Sequence, residues 1–280
     1  MDFSTDSALD DGTIERRFHL DDIPGILWMP GRADSAHPVP LLLLGHPGGL
    51  DRMYPRLRAR AQHAAVQGFA AVTIEVPGSG ERSPSPATAQ ARADMRAAVT
   101  AGMLPTDEVI DRFILPLVAE AVPEWRRVMD ELLVLPTIGE RVGISGGVIA
   151  VATRLAAIDA RIAATGVFAG SFIPRQIIEE ARSVTVPVHM LLQWDDEGND
   201  RQRALDLFDA FGSPTKTLEA NMGGAHGGSG VRGRRRRPLL RPASAGELSF
   251  SAHRIAARAQ ATDRPPSGPV AELHGFNADA

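Results

Sequence analysis

The sequence contains no cysteine, and its only lysine, Lys216, stands against 29 arginines. Without thiols, disulfides and thiolate metal sites are excluded, although that absence constrains the compartment only weakly. The opening MDFSTDSALDDG is acidic and lacks the hydrophobic stretch of a secretory signal, so it is not expected to act as one. The longest strongly apolar run, Val39–Leu44, is far shorter than the roughly 20 residues that cross a bilayer. No membrane association is expected, and the cytoplasm is the expected location. PGSGE at 77–81 is not followed by Gly-Lys-Ser/Thr, so it is not a phosphate loop. No His/Asp/Glu cluster has the spacing of a metal site, and neither metal nor cofactor is expected.

What remains is a chain of 280 residues, 44% hydrophobic and 23% charged, enough to bury a sizeable core as one large α/β unit or two small ones. Its charge is uneven. Residues 227–280 hold nine arginines against four acids, a formal +5, which leaves −9 for residues 1–226 out of a net −4. The body is acidic and the tail basic, and the two are read separately.

Along the chain, residues 1–12 read as a disordered lead. Ile14–Leu20 and Gly25–Met29 are short strand candidates. VPLLLLGHPGG is a continuous apolar run stopped by glycines, as expected of a strand buried on both faces. Residues 53–67 carry Met53, Leu57, Ala61, Ala64 and Ala65 on one helical face, with Gly68 as a stop. FAAVTIEV (69–76) is the next buried strand, so the order is strand, helix, strand, the mark of a parallel sheet. Residues 83–140 form a long connection. Helices are expected at Ala87–Ala101, at Asp107–Ala121 with Thr106 as N-cap, and at Pro123–Val134. One of these suffices for a crossover, and residues 83–122 can form a small lid. Strands follow at Arg141–Ile144, Ile162–Phe168, Val186–Trp194 and Thr215–Asn221. Helices are expected at Gly147–Ile158, Ile173–Ser183 and Arg201–Phe211. The expected architecture is α/β: a mostly parallel central sheet with helices on both faces over 13–228, then a low-complexity basic tail over 229–280 that is expected to be disordered.

Gly143-Ile144-Ser145-Gly146-Gly147 fits Gly-x-Ser-x-Gly at a strand-to-helix junction. There a serine hydroxyl can be held above the sheet at a helix N-terminus, with small neighbours to avoid clashes. The same pattern also arises as a plain glycine turn. A serine needs a base and the base an orienting acid, in the chain order Ser, Asp or Glu, His for this architecture. VHMLLQWDDEGND places Asp195, Asp196 and Asp200 after one strand, and GGAHGG places His226 after the last. Both are strand ends at which open α/β sheets form their sites. His46, in GHPGG, reads as a structural loop residue. Pro47 has no N–H, which leaves the Gly48 and Gly146 amides as expected oxyanion donors.

These pieces together, LLLLGHPGG, VTIEVPGSGER, GISGG, LLQWDDE with its following helix, and NMGGAHGG, resemble the α/β-hydrolase superfamily, most closely its dienelactone-hydrolase-like esterase branch with a serine nucleophile. The resemblance spans roughly residues 14–228. It implies a Ser145–His226–Asp196 triad, with Asp196 preferred over Asp195 because the second aspartate of the family's turn is the acid. It also implies a carboxylic ester or related small acyl substrate, and no cofactor. Met103, Leu104, Ile114, Leu115, Leu117 and Val118 in the lid segment suggest an apolar acyl pocket. Two departures stand out. Dienelactone hydrolases proper use a cysteine, absent here, and the family's final amphipathic helix after the histidine has no counterpart in GGSGVRGRRRRPLLRPASAGE. The second departure motivates an alternative, a catalytically impaired hydrolase-like protein with a frameshifted or decayed C-terminus. RGRRRRP reads as a charge run, and no nucleic-acid partner is expected. Oligomeric state and natural substrate are not legible.

Overall fold

The computed structural model describes residues 1–169, 172–196 and 200–222. His226 and the expected tail over 229–280 lie outside the described residues. Among the described residues the strands are β1 (Asp2–Ala8), β2 (Ile14–Leu20), β3 (Ile23–Met29), β4 (Val39–Gly45), β5 (Ala70–Ile74), β6 (Ile138–Gly146), β7 (Ile162–Ala169), β8 (Val188–Gln193) and β9 (Lys216–Asn221). The helices are α1 (Leu50–Val66), α2 (Pro86–Thr100), α3 (Asp107–Leu132), α4 (Ile149–Ile158), α5 (Arg175–Ala181) and α6 (Arg201–Ala210). One sheet runs β1-β2-β3-β5-β4-β6-β7-β8-β9. The pairings from β1 to β5 through β3 are antiparallel, and those from β5 through β4 to β9 are parallel.

Strand alternation divides the core between the two faces. Leu42 and Leu44 of β4 meet Ile26, Trp28, Leu57, Ala61 and Ala64 on the side covered by α1. Leu41 and Leu43 point the other way, into a larger cluster with Val72, Ile74, Ile144, Val118, Trp125 and Leu155 beneath α3 and α4. Central strands buried on both faces need an unbroken apolar run, which is what VPLLLLG and AAVTI supply.

Two expectations are corrected. Residues 1–12 are not a disordered lead: Asp2–Ala8 pairs antiparallel along β2. An edge strand is held by main-chain bonds and needs few apolar residues. Here Phe3 also stands edge-on to Phe18 at 6.0 Å between centroids, and Arg16 pairs with Asp6 at 3.0 Å. The two helices expected at 107–121 and 123–134 are one, α3, capped by Thr106, whose hydroxyl accepts from Val109 N–H. Proline inside a helix leaves the carbonyl four residues back without its donor. Both Pro116 and Pro123 are exposed, so those carbonyls lie on the solvent side of the helix. The expected lid segment, 83–122, carries α2 and the first part of α3. Ile110, Ile114, Val118 and Ala121 of α3 are core residues, while Met103 (61% exposed) and Leu104 (54%) face solvent.

Candidate functional site

The parallel strands β4, β5, β6 and β8 end on the same edge of the sheet. They deliver Gly45 and His46, Glu75, Gly146, and Asp195 with Asp196, respectively. Asp195 is exposed and Asp196 half-buried in the turn after β8. Gly48 lies in the loop between β4 and α1, where the Ser79 hydroxyl donates to its carbonyl at 3.4 Å.

The GHPGG loop and the GISGG turn meet backbone to backbone. A Cβ on Gly45 would sit 2.5 Å from Gly146 O and 2.7 Å from Gly147 Cα, and a Cβ on Gly147 would sit 2.7 Å from Gly45 Cα. Gly146 and Gly147 also adopt φ of +70° and +90°. Side-chain-bearing residues strongly disfavour that region, so steric approach and conformation both select glycine here.

Ser145 is placed differently from the expected hydroxyl above the sheet. It lies within β6, paired with Leu44 on one side and Gly166 on the other, and is 3% exposed. The left-handed residues fall after it, on Gly146 and Gly147, so the chain turns only once the serine has been laid down in extended strand. Arg60 of α1 holds it there. Nη1–H donates to Gly45 O at 2.9 Å, and Nη2–H donates to Ser145 O at 2.5 Å and to Ser145 Oγ at 3.1 Å. The guanidinium also lies 5.8 Å from the Phe168 ring centroid. Burial, with the like charge of Arg56 adding to it, lowers the Arg60 pKa to about 10, so the group remains a cation at neutral pH.

A cavity of about 30 Å³ opens at the strand ends on the opposite face, toward α3 and α4. Its walls include Leu43, Ile144, Gly146, Val148, Trp125 and Leu155. Leu43, Ile144 and Gly146 have the alternate strand parity to Ser145, so the serine side chain points away from this space. His46 and Glu75 are the ionisable groups lining it. His46, 2% exposed, donates through Nε2 to Ile74 O at 2.9 Å, and its buried Nδ1 has no hydrogen-bond partner. Burial lowers its pKa; the Ile74 and Gly48 backbone oppose that shift, and the Arg60 charge adds to it. Glu75 accepts from Leu50 N–H, at the first turn of α1, at 3.0 Å and from the Ser79 hydroxyl at 3.0 Å. Its carboxylate thus serves the helix end that Gly49 leaves without a side-chain cap. Burial raises the Glu75 pKa. Among the described residues no group of three or more His, Asp or Glu side chains could hold a metal ion, and no helix is long and apolar enough to cross a membrane.

The sequence reading named Ser145, Asp196, Gly48 and Gly146, and the structure brings Gly146 to the cavity. It passed over Arg60, and it gave Glu75 no role. Both left a signal. Arg60 falls in the Leu57, Ala61, Ala64 stripe of α1, where an apolar residue is expected. Glu75 is a carboxylate inside the otherwise apolar FAAVTIEV.

No protein-family model matches the sequence, and no curated protein matches it. Solved structures do. A cold-adapted esterase from an Arctic intertidal metagenomic library, in its complex with polyethylene glycol, is 25% identical, with 79% of this chain and 89% of that chain covered at a TM-score of 0.61. Its native structure aligns over 92% of this chain and 99% of that chain, at 20% identity and a TM-score of 0.60. A candidate dienelactone hydrolase of Klebsiella pneumoniae aligns over 71% and 80%, at 13% identity and a TM-score of 0.50. Such neighbours support a hydrolase, and identities this low establish the fold rather than the reaction. The chain has the α/β-hydrolase fold, and its structure, like its motifs, resembles the dienelactone-hydrolase-like esterases.

Proposed function

We propose that this chain is an esterase-type α/β-hydrolase impaired in ester cleavage, which keeps a small acyl-binding cleft at the strand ends. The observation that supports this reading is the setting of Ser145. A nucleophile must present its oxygen to the substrate carbonyl beside a base. Ser145 Oγ is instead buried in β6, bonded to a cationic Arg60, on the opposite face of the sheet from the cavity. A guanidinium donating to Oγ leaves the hydroxyl proton to be taken by a base on a side that α1 already covers. The test is a panel of chromogenic esters of increasing acyl length, run on the wild type and on Ser145→Ala. The expected result is slow turnover that does not differ between the two.

A second reading, an active serine hydrolase, is favoured by the backbone contact between Gly45 and Gly146–Gly147. This contact sets two amide-bearing loops against each other at the strand ends. In that reading Ser145 attacks the carbonyl of a carboxylic ester, and the Gly48 and Gly146 amides stabilise the oxyanion. His226 accepts the serine proton and gives it to the departing alcohol, while Asp196 orients the imidazole. Water then cleaves the acyl-enzyme. Loss of turnover by orders of magnitude in Ser145→Ala would select it over the first.

A further inference from the structure

We propose that the cavity behind Gly146 is an acyl-chain site that admits about two or three carbons, and that Trp125 of α3 sets that limit. This rests on the reading of the chain as an esterase-type hydrolase that keeps an acyl cleft. It adds the chemical class of the guest and the residue that selects it.

The cavity lies where small residues leave room between the two helices and the sheet. Ala121 and Trp125 stand one turn apart on α3 and share a face, and Ala152 lines the same space from α4 with Val151. An alanine on each helix cannot fill the gap between them. Trp125, 7% exposed and the largest side chain on the wall, takes up the room beside them. What remains is about 30 Å³. One water needs roughly 10–15 Å³ by the same measure, so the space holds about two or three non-hydrogen atoms. The opposite wall cannot adjust. Leu43 of β4 is in register with Val72 and Ile144 on the neighbouring strands, so the sheet fixes it. The size of the cavity is therefore set from the helix side, and chiefly by the indole.

The chemistry of the wall selects a neutral, apolar guest. Leu43, Ile144, Trp125, Val151 and Ala152 present carbon. The Glu75 carboxylate is already engaged by Leu50 N–H and the Ser79 hydroxyl. His46 donates through Nε2 to Ile74 O, and burial favours its neutral ring. No cation is among the residues lining the cavity, since Arg60 lies across the sheet on α1. A free acid would thus be buried as an unpaired charge beside Glu75, which is costly. An ester avoids that cost: its acyl carbons enter, while the alkoxy part stays outside the strand ends that Gly45 and Gly146 mark. Space of this kind, walled by carbon, takes apolar groups in preference to water.

The experiment is saturation-transfer NMR titration of the full chain with ethyl propionate and ethyl hexanoate, each displaced by excess ethyl acetate to confirm a common site. The expected result is binding of ethyl propionate at least about tenfold tighter than ethyl hexanoate, the scale on which a closed apolar pocket discriminates chain length. Trp125→Ala should remove that preference or reverse it. Trp125→Leu, which keeps an apolar wall, should narrow it, and it serves if the alanine variant fails to fold. Hexanoate binding as tightly as propionate in the wild type, or an unchanged preference in a folded Trp125 variant, overturns this inference and leaves the hydrolase reading standing. No binding of either ester overturns the acyl cleft itself, and the inference with it. Ethanol release that stops in Ser145→Ala contradicts the impairment alone, and the length limit then holds or fails in kcat/KM for the same two esters.

Discussion

Glu15 of β2 is 6% exposed and accepts from Trp28 Nε1–H at 2.8 Å and from the Tyr54 hydroxyl at 2.9 Å. Glu15→Ala would strand the indole N–H, which is fully buried. A loss of about 2–4 kcal/mol is expected in urea unfolding, and an unchanged midpoint would show that water satisfies the site. Asp159 offers a pH test. The Arg161 side chain, bonded at 2.8 and 2.7 Å, is the main reason its pKa falls from 3.8 to about 2; Arg161 N–H and Arg126 also contribute, against burial. A folded-state pKa below the unfolded value stabilises the protein above about pH 4, and that stabilisation disappears as pH falls through about 2. Asp159→Asn should therefore cost about 2 kcal/mol at pH 7 and progressively less toward pH 2, measured by urea midpoints across that range. A pH-independent difference would contradict the assignment. At this scale the sequence was only partly legible. GISGG falls at the end of β6, as its pattern suggests, but a pattern of residue types does not say which residue takes the left-handed conformation. With glycine at both 146 and 147, the turn formed there and Ser145 stayed in the strand.

Among the elements, the buried strands were the most readable, because an apolar run such as VPLLLLG has few alternatives to a doubly covered strand. β1 was not readable, since DFSTDSA has no apolar period and is set by pairing with β2. α3 was read as two helices because proline marks a boundary unless its face is solvated. That gives a prediction. Pro123→Ala restores an amide donor within α3 and removes the ring clash, together worth roughly 3 kcal/mol in a helix interior. It also frees the unfolded chain, which costs about 0.4–1 kcal/mol. A net gain of about 2 kcal/mol in urea unfolding is expected. No gain would mean that the Ala119 carbonyl has found another donor without cost.

At the scale of the whole molecule, the sheet order explains why a candidate site at the strand ends can be sought from sequence. Parallel strands β5, β4, β6, β7, β8 and β9 bring loops distant in sequence to one edge, and only loops following buried strands are candidates. The side of the sheet on which each group lies was not readable, because it depends on register and on which helix covers which face. The basic stretch after His226, GGSGVRGRRRRPLLRPASAGE, has almost no apolar helical period. We expect that translating the other two forward frames from codon 224 reveals an amphipathic helix of about ten or more residues, as a frameshift requires. If neither frame encodes one, the arginines need a function of their own. The central claim, that Ser145 is not poised to attack an ester, is tested most directly by exposing the intact protein to a fluorophosphonate and mapping the adduct by mass spectrometry. The account predicts no adduct on Ser145 at concentrations that fully label an active serine esterase run in parallel. Stoichiometric labelling of Ser145, lost in Ser145→Ala, would contradict it.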